Sequence, residues 1–269
     1  MTILFDGRFT HGATIADYTQ WQTNGATGTD PAEIPAGRIE LTTLSGETVC
    51  RFTVADSDEL AASGNRTEIR GPSVTIGGEY WYSWHTYIPS GVENDRILVL
   101  GQLPNFAVGQ FHQAPDGGEY SSPPMPMLYD AGRMVIRSHY DEGATSTSES
   151  YTRRTLTSFR CLPGAWRHFV LHVLWDASSS GLIEMWRDCR LVASETGQAN
   201  CANNSEGPYP KLGVYNFGSL ASYGTRQIYS KGIVCADDTS QSFDEFMAEI
   251  GHPELTELEI VLRSLACPY

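Results

Sequence analysis

Lysine is nearly absent from this chain. Lys211 and Lys231 are the only two among 269 residues, and Lys plus Arg number 18 against 32 Asp plus Glu, a formal net charge of −14. Binding a phosphate backbone requires a clustered basic surface, so a nucleic-acid partner is not expected. The same charge repels an acidic glycan unless arginines and lysines gather at one place on the fold. Charged residues of all kinds reach only 19%, too few for the solvated faces of many helices.

Long apolar runs are missing as well. No stretch approaches the roughly 20 apolar residues that span a bilayer, so no membrane partner is expected. The opening MTILFDGRFT has neither the basic start nor the apolar core of a secretory signal, which suggests a soluble chain, mature or exported by another route. The six cysteines (Cys50, Cys161, Cys189, Cys201, Cys235, Cys267) form no CxxC zinc pattern and read equally as disulfides or as buried thiols. There are no internal repeats. No strand carries the closely spaced carboxylates that a retaining jelly-roll glycosidase sets about 5 Å apart; Asp56, Asp58 and Glu59 sit in an acidic loop instead.

What is present in quantity is Gly, Pro and aromatic residues, the material of short strands and tight turns. In GEYWYSWHTYIP, alternation puts Tyr80, Tyr82, Trp84, Thr86 and Ile88 on one face and Trp81, Ser83, His85 and Tyr87 on the other. Both faces are aromatic, which predicts a central strand. WRHFVLHVLW repeats the pattern, with Phe169, Leu171, Val173 and Trp175 on one side. IEMW and RLV around Asp188–Cys189 form a hairpin, and RIELTTL, TVCRFTV, RTEIR, RILVLGQL, MVIRSHY, KLGVYNF and TRQIYSKGIV add further strands. HQAPDGGEYSSPPMPM and DEGATSTSESYT read as loops. Strands following strands without helices predict an all-β, antiparallel jelly-roll sandwich.

The pattern changes after about residue 235, dividing the chain into a main domain, 1–235, and a helical tail, 236–269. Ser242 with Glu245 makes a capping box, and Phe243, Phe246, Met247 and Ile250 form an apolar stripe ending at Gly251. A second helix from Pro253 carries Leu255, Leu258, Leu262 and Leu265. Such a stripe packs on its own domain or on another subunit, as in a homo-oligomer or a larger particle.

Three segments carry candidate chemistry. Strand parity aligns Arg66, Glu68 and Arg70 in NRTEIR, Gln110 and His112 in GQFHQ, and Lys211, Gly213 and Tyr215 in YPKLGVYN. Each has a plainer reading: an ion-pair ladder, a sheet histidine, a packing tyrosine. His85, His168 and His172 lie in core-like strands and read as structural.

These segments resemble the alginate-lyase and glucuronan-lyase jelly rolls, whose signature strands run approximately RTELR, QIH and YFKAGVYNQ. The stretch from YWYSWHTYIP to WRDCRLV is similar to the heparin-lyase-I-like group, and the resemblance covers about residues 60–235. Phe111, Phe217 and Pro210 depart from the family pattern. The resemblance implies cleavage of a uronic-acid glycan by β-elimination. Gln110 and Arg66 would neutralise the uronate carboxylate, His112 would act as base, and Tyr215 would protonate the leaving O4. It further implies Arg70 and Lys211 on neighbouring uronates; beside these, Arg137 and His139 of MVIRSHY would extend the cationic face, and Glu68 and Asn216 are read with the substrate-binding set.

An acidic polysaccharide is then the expected partner, outside the cell or on a virion surface. No cofactor is required, although a structural Ca²⁺ without identified ligands fits the same resemblance. The competing expectation keeps the fold without catalysis, as a carbohydrate-binding or surface-decoration module tethered by its tail.

Overall fold

Alternating side chains give most of the long strands of this chain an apolar face, and such faces are buried by stacking two sheets. The computed structural model describes residues 1–60, 64–91, 106–116, 122–130, 132–143, 150–217, 224–237 and 242–251. Two antiparallel eight-stranded sheets result.

With strands numbered in chain order, the first sheet runs β14 (Arg190–Thr196), β13 (Leu182–Arg187), β12 (Trp166–Leu174), β7 (Glu79–Tyr87), β16 (Thr225–Asp237), β5 (Glu47–Ala55) and β4 (Ile39–Leu44), and β1 (Ile3–Asp6) also pairs with β16. The second runs β11 (Thr152–Arg160), β10 (Arg133–Tyr140), β9 (Met125–Asp130), β8 (Phe106–His112), β15 (Tyr209–Phe217), β6 (Gly64–Arg70), β2 (Gln20–Thr23) and β3 (Ala26–Gly28). The chain changes sheet at β5–β6–β7–β8 and again at β14–β15–β16. This is the strand exchange of a jelly roll.

β7 lies between β12 and β16, and its faces divide as the alternation predicts. Tyr80, Tyr82, Trp84 and Ile88 enter the main core, joined by Phe169, Leu171, Val173 and Trp175. Trp81 and Val170 point outward into a second apolar cluster, which α1 (Phe243–Glu249) and its C-cap residue cover with Phe246, Met247 and Ile250. The Ser242 side chain caps α1 by accepting from the Glu245 backbone N–H at 3.3 Å, and Phe246 stacks on Trp81 at 5.2 Å. This part of the tail therefore packs on its own domain. No helix among the described residues is long and apolar enough to cross a membrane.

Several expectations shift in detail. β16 continues to Asp237, so the division at 235 falls inside a strand; Asp237 is held there by backbone and side-chain bonds with Thr2. The segment expected as a Pro/Gly/Ser loop runs into the first three residues of β9, and the last residue of the polar loop begins β11. Both are strands whose turn-rich flanks mask their alternation. Asp188 and Cys189 close the β13–β14 hairpin with φ of 51° and 65°, the left-handed pair of a type I′ turn. Cys50, Cys161, Cys201 and Cys235 are buried thiols outside any disulfide. Cys267, the strand expected in RILVLGQL and the second tail helix lie outside the described residues.

Candidate active site

β6, β15 and β8 are adjacent in the second sheet, and their register aligns the three segments. Tyr215 lies opposite Arg66, Gly213 opposite Glu68, and Lys211 opposite Arg70. On the other side Lys211 faces Gln110 and Tyr209 faces His112. Ile69, Leu212, Val214 and Phe111 send their side chains into the sandwich core. By parity, Arg66, Glu68, Arg70, Gln110, His112, Tyr209, Lys211 and Tyr215 share the face turned away from it.

Gly213 makes this register possible. Its φ is +142°, and a Cβ there would lie 2.2 Å from the Thr67 carbonyl oxygen and 2.6 Å from Glu68 Cα. Only glycine lets β15 approach β6 this closely.

Glu68 is the centre of the cluster and is 1% exposed. The Gln110 amide Nε2 donates to its Oε1 at 2.7 Å, and Lys211 Nζ and Arg66 lie 3.5 and 3.7 Å from its Oε2. Lys211 Nζ also donates to Gln22 Oε1 at 3.1 Å, as Arg66 does at 3.3 Å. The Arg66 guanidinium lies over the Tyr215 ring at 3.8 Å and that of Arg70 over the Tyr209 ring at 3.6 Å, contacts that favour a cation on the negative ring face. Arg70 is further held by Glu206 at 2.6 Å and Ser73 at 2.7 Å. The local gathering of cations that an acidic ligand requires is thus present in a chain of charge −14.

His112 has one ring nitrogen committed to the backbone. Its Nδ1 lies 3.0 Å from the Gln113 carbonyl oxygen, an acceptor only, so Nδ1 carries the proton and Nε2 keeps its lone pair. Burial, and next the positive charge of Lys211, push its pKa down to about 3, leaving a neutral imidazole at physiological pH. Tyr209 stacks on it with ring centres 5.7 Å apart and its hydroxyl 3.3 Å from Nδ1. Burial raises the Tyr209 pKa, against the pull of Arg70. Burial also lowers the Lys211 pKa, while Glu68 acts in the opposite direction.

The structure brings Arg66, Glu68, Arg70, Gln110, His112, Lys211 and Tyr215 onto one face. Glu68, however, engages the protein's own cations and amide rather than standing open for substrate. Asn216 is not on this face. It follows Tyr215 by one residue, so it turns inward, and its Oδ1 accepts from Arg226 of the opposite sheet. Arg137 and His139 lie on β10, two strands from β8. His168, expected as structural, bonds Ser83 at 2.7 Å and stacks on His85 in the first sheet, and His172 pairs there with Glu79 and Glu184. Among the described residues no three His, Cys, Asp or Glu side chains are grouped as metal ligands.

Two participants escaped the sequence reading. Tyr209 was readable, since it shares the parity of Lys211 and Tyr215. Gln22 sits on β2, a four-residue strand that gives no signal beyond its own alternation.

Comparison with known proteins agrees with this fold. The fold is similar to that of an endo-β-1,4-glucuronan lyase from the fungus Trichoderma reesei, at 15% identity and a TM-score of 0.61 over 76% of this chain and 88% of that one. It is also similar to a family 7 alginate lyase crystallised with substrate, at 11% identity and 0.62 over 88% and 99%. An alginate lyase of Pseudomonas aeruginosa aligns at 13% identity and 0.56 over 83% and 99%. No curated protein matches. A family model described as polysaccharide lyase matches residues 13–234, a span that holds every side chain of the cluster, and by that match the chain belongs to the polysaccharide lyase family.

Proposed function

We propose that the protein cleaves a uronic-acid-containing polysaccharide by β-elimination at the face formed by Arg66, Gln110, His112 and Tyr215. The observation that carries this reading is the coexistence, on three adjacent strands, of clustered cations and a histidine held neutral with its Nε2 bare.

The C5 proton of a uronate is too weak an acid to leave while the adjacent carboxylate keeps its full charge. Arg66 and Gln110 donors aimed at that carboxylate stabilise the enolate that develops, an effect worth several kcal/mol in a water-poor site. His112 Nε2 takes the C5 proton, and the C–H electron pair moves into the enolate. It then forms the C4–C5 double bond as the C4–O4 bond breaks, and the Tyr215 hydroxyl delivers a proton to O4. Positioned acid and base groups contribute about 10²–10⁴-fold. Lys211 and Arg70 hold flanking carboxylates. Charged polymers of this size do not cross membranes, so the proposed site of action is outside the cell. Glucuronan and alginate are the substrates of the similar structures and the first to test.

The test is the ultraviolet absorbance of the unsaturated uronate product, followed on glucuronan, alginate and a heparin-like glycan with the wild type and Tyr215→Phe. Wild-type absorbance should rise and the variant's should not. If polymer binds but no unsaturated product forms on any of these, the catalytic reading is wrong and a carbohydrate-binding module takes its place.

A further inference from the structure

We propose that Arg137, His139 and Arg153 form a distal carboxylate subsite, two and three strands from His112, so that the protein engages a uronate chain running across the strands of the second sheet. This rests on the uronate reading above and deepens it.

The register carries the argument. Gln110 lies opposite Pro126 and Phe111 opposite Met125, and β9 pairs with β10 through Met127 and Ile136. The His139 N–H donates to the Pro124 carbonyl at 2.8 Å, and on β11 Arg153 lies opposite His139 and Thr155 opposite Arg137. Two rows therefore cross the sheet at right angles to its strands. One is Arg70, Lys211, Gln110, Pro126, Arg137 and Thr155; the other is Tyr209, His112, Pro124, His139 and Arg153.

All stand on the same face. Met125, Met127, Met134 and Ile136 point into the core, while Leu128 and Val135 pack outside with Tyr215. Directly opposed antiparallel residues share a face, which brings Arg153 to it. Arg154 takes the other face and pairs with Glu195.

Strands lie about 4.8 Å apart, so β10 and β11 are about 10 and 14 Å from β8, a spacing that matches successive pyranose units of an extended chain. Pro124 and Pro126 lie between as a floor that offers no backbone donor. Arg153 is exposed and Arg137 half-buried. His139 is 6% exposed; its Nδ1 bonds Ser122 at 2.8 Å, and its Nε2 is buried without a hydrogen-bond partner. A buried ring nitrogen of this kind calls for a partner, which a ligand hydroxyl or an ordered water can supply. Burial, Arg153 and Arg137 together push the His139 pKa down to about 4, so the two arginines act on one locus.

The experiment measures calorimetric affinity for saturated oligoglucuronates and oligomannuronates of three to eight units, with neutral cello-oligosaccharides as reference. All proteins carry Tyr215→Phe so that ligand is not consumed. Affinity should tighten about five- to tenfold as the uronate ladder lengthens from three to six units. The gain should vanish in Arg153→Gln and in Arg137→Gln, and persist in Arg190→Gln, which removes an exposed charge from the first sheet. Arg153 is a surface side chain, so its variant folds even where the Arg137 variant does not. A length gain that survives both cleft variants, or no binding of any uronate, overturns the subsite. Loss of the gain in proteins whose Tyr215-intact parent forms no unsaturated product would leave the subsite standing and remove only the lyase reading.

Discussion

Gln110 donates its amide N–H to Glu68 across 2.7 Å, and its own Oε1 is buried with no partner. Glu68 thus fixes the amide that the proposed mechanism sets against the uronate, and it also holds Lys211 and Arg66. In that mechanism it acts as a positioning residue.

Glu68→Gln should therefore lower kcat about 100-fold through misplacement of these groups. KM should fall, because two cations lose their internal counter-charge and bind the uronate more tightly in the ground state. Stability should drop on the order of 3 kcal/mol, as when one member of a buried ion pair is removed. Steady-state kinetics and denaturant unfolding check both; a raised KM with kcat intact would mean that Glu68 touches substrate.

The acid limb of kcat/KM should lie well below the ordinary histidine value of 6.5, because burial and Lys211 keep His112 neutral down to about pH 3. The folded chain binds this proton more weakly than the unfolded chain. The associated stability is present above pH 6.5 and is lost as pH falls from 6.5 toward 3. His112→Gln should abolish turnover and reduce the acid-side fall in Tm. The reduction is partial because His139, lowered to about 4, titrates in an overlapping window. A rate profile breaking at 6.5 would contradict the neutral-base arrangement.

Asn216→Ala should leave KM unchanged and lower stability by about 1–3 kcal/mol, the cost of removing a hydrogen-bond acceptor from a buried charged group. Its partner Arg226 is 2% exposed between the sheets. A weakened KM with an unchanged unfolding midpoint would return Asn216 to the substrate.

Phe246→Ala should cost about 3–5 kcal/mol, since the ring is fully buried between Trp81 and the outer cluster. Activity per folded molecule should not change, because α1 covers the sheet opposite the site. Thermal unfolding and active-site-normalised rates separate the two effects.

What the sequence made legible was whatever repeats with a period of two. β7 and β12 showed their buried faces because Tyr80, Tyr82, Trp84, Phe169, Leu171 and Val173 alternate strictly, and the same parity put Lys211 with Tyr215. Parity also separates Asn216 from Tyr215, so its inward turn could have been read from its one-residue offset. Gln22 was not legible, because cross-strand register depends on which strands become neighbours, and nothing local in a four-residue strand encodes that. Glu68 was visible, but its role was not: whether a carboxylate faces a ligand or its own cations depends on Gln110 and Lys211, which meet it only in the folded sheet.

Gly213 sets a limit on how this site can be altered. Any larger residue there would push into the Thr67 carbonyl and Glu68 backbone, prising β15 from β6 and separating Arg66 from Tyr215. The floor of the site is therefore closed to variation by substitution at that position, whereas Arg137 and Arg153 on the outer strands are half-buried and exposed and leave room for change. Libraries aimed at new uronates should hold β6 and β15 constant and vary β10 and β11.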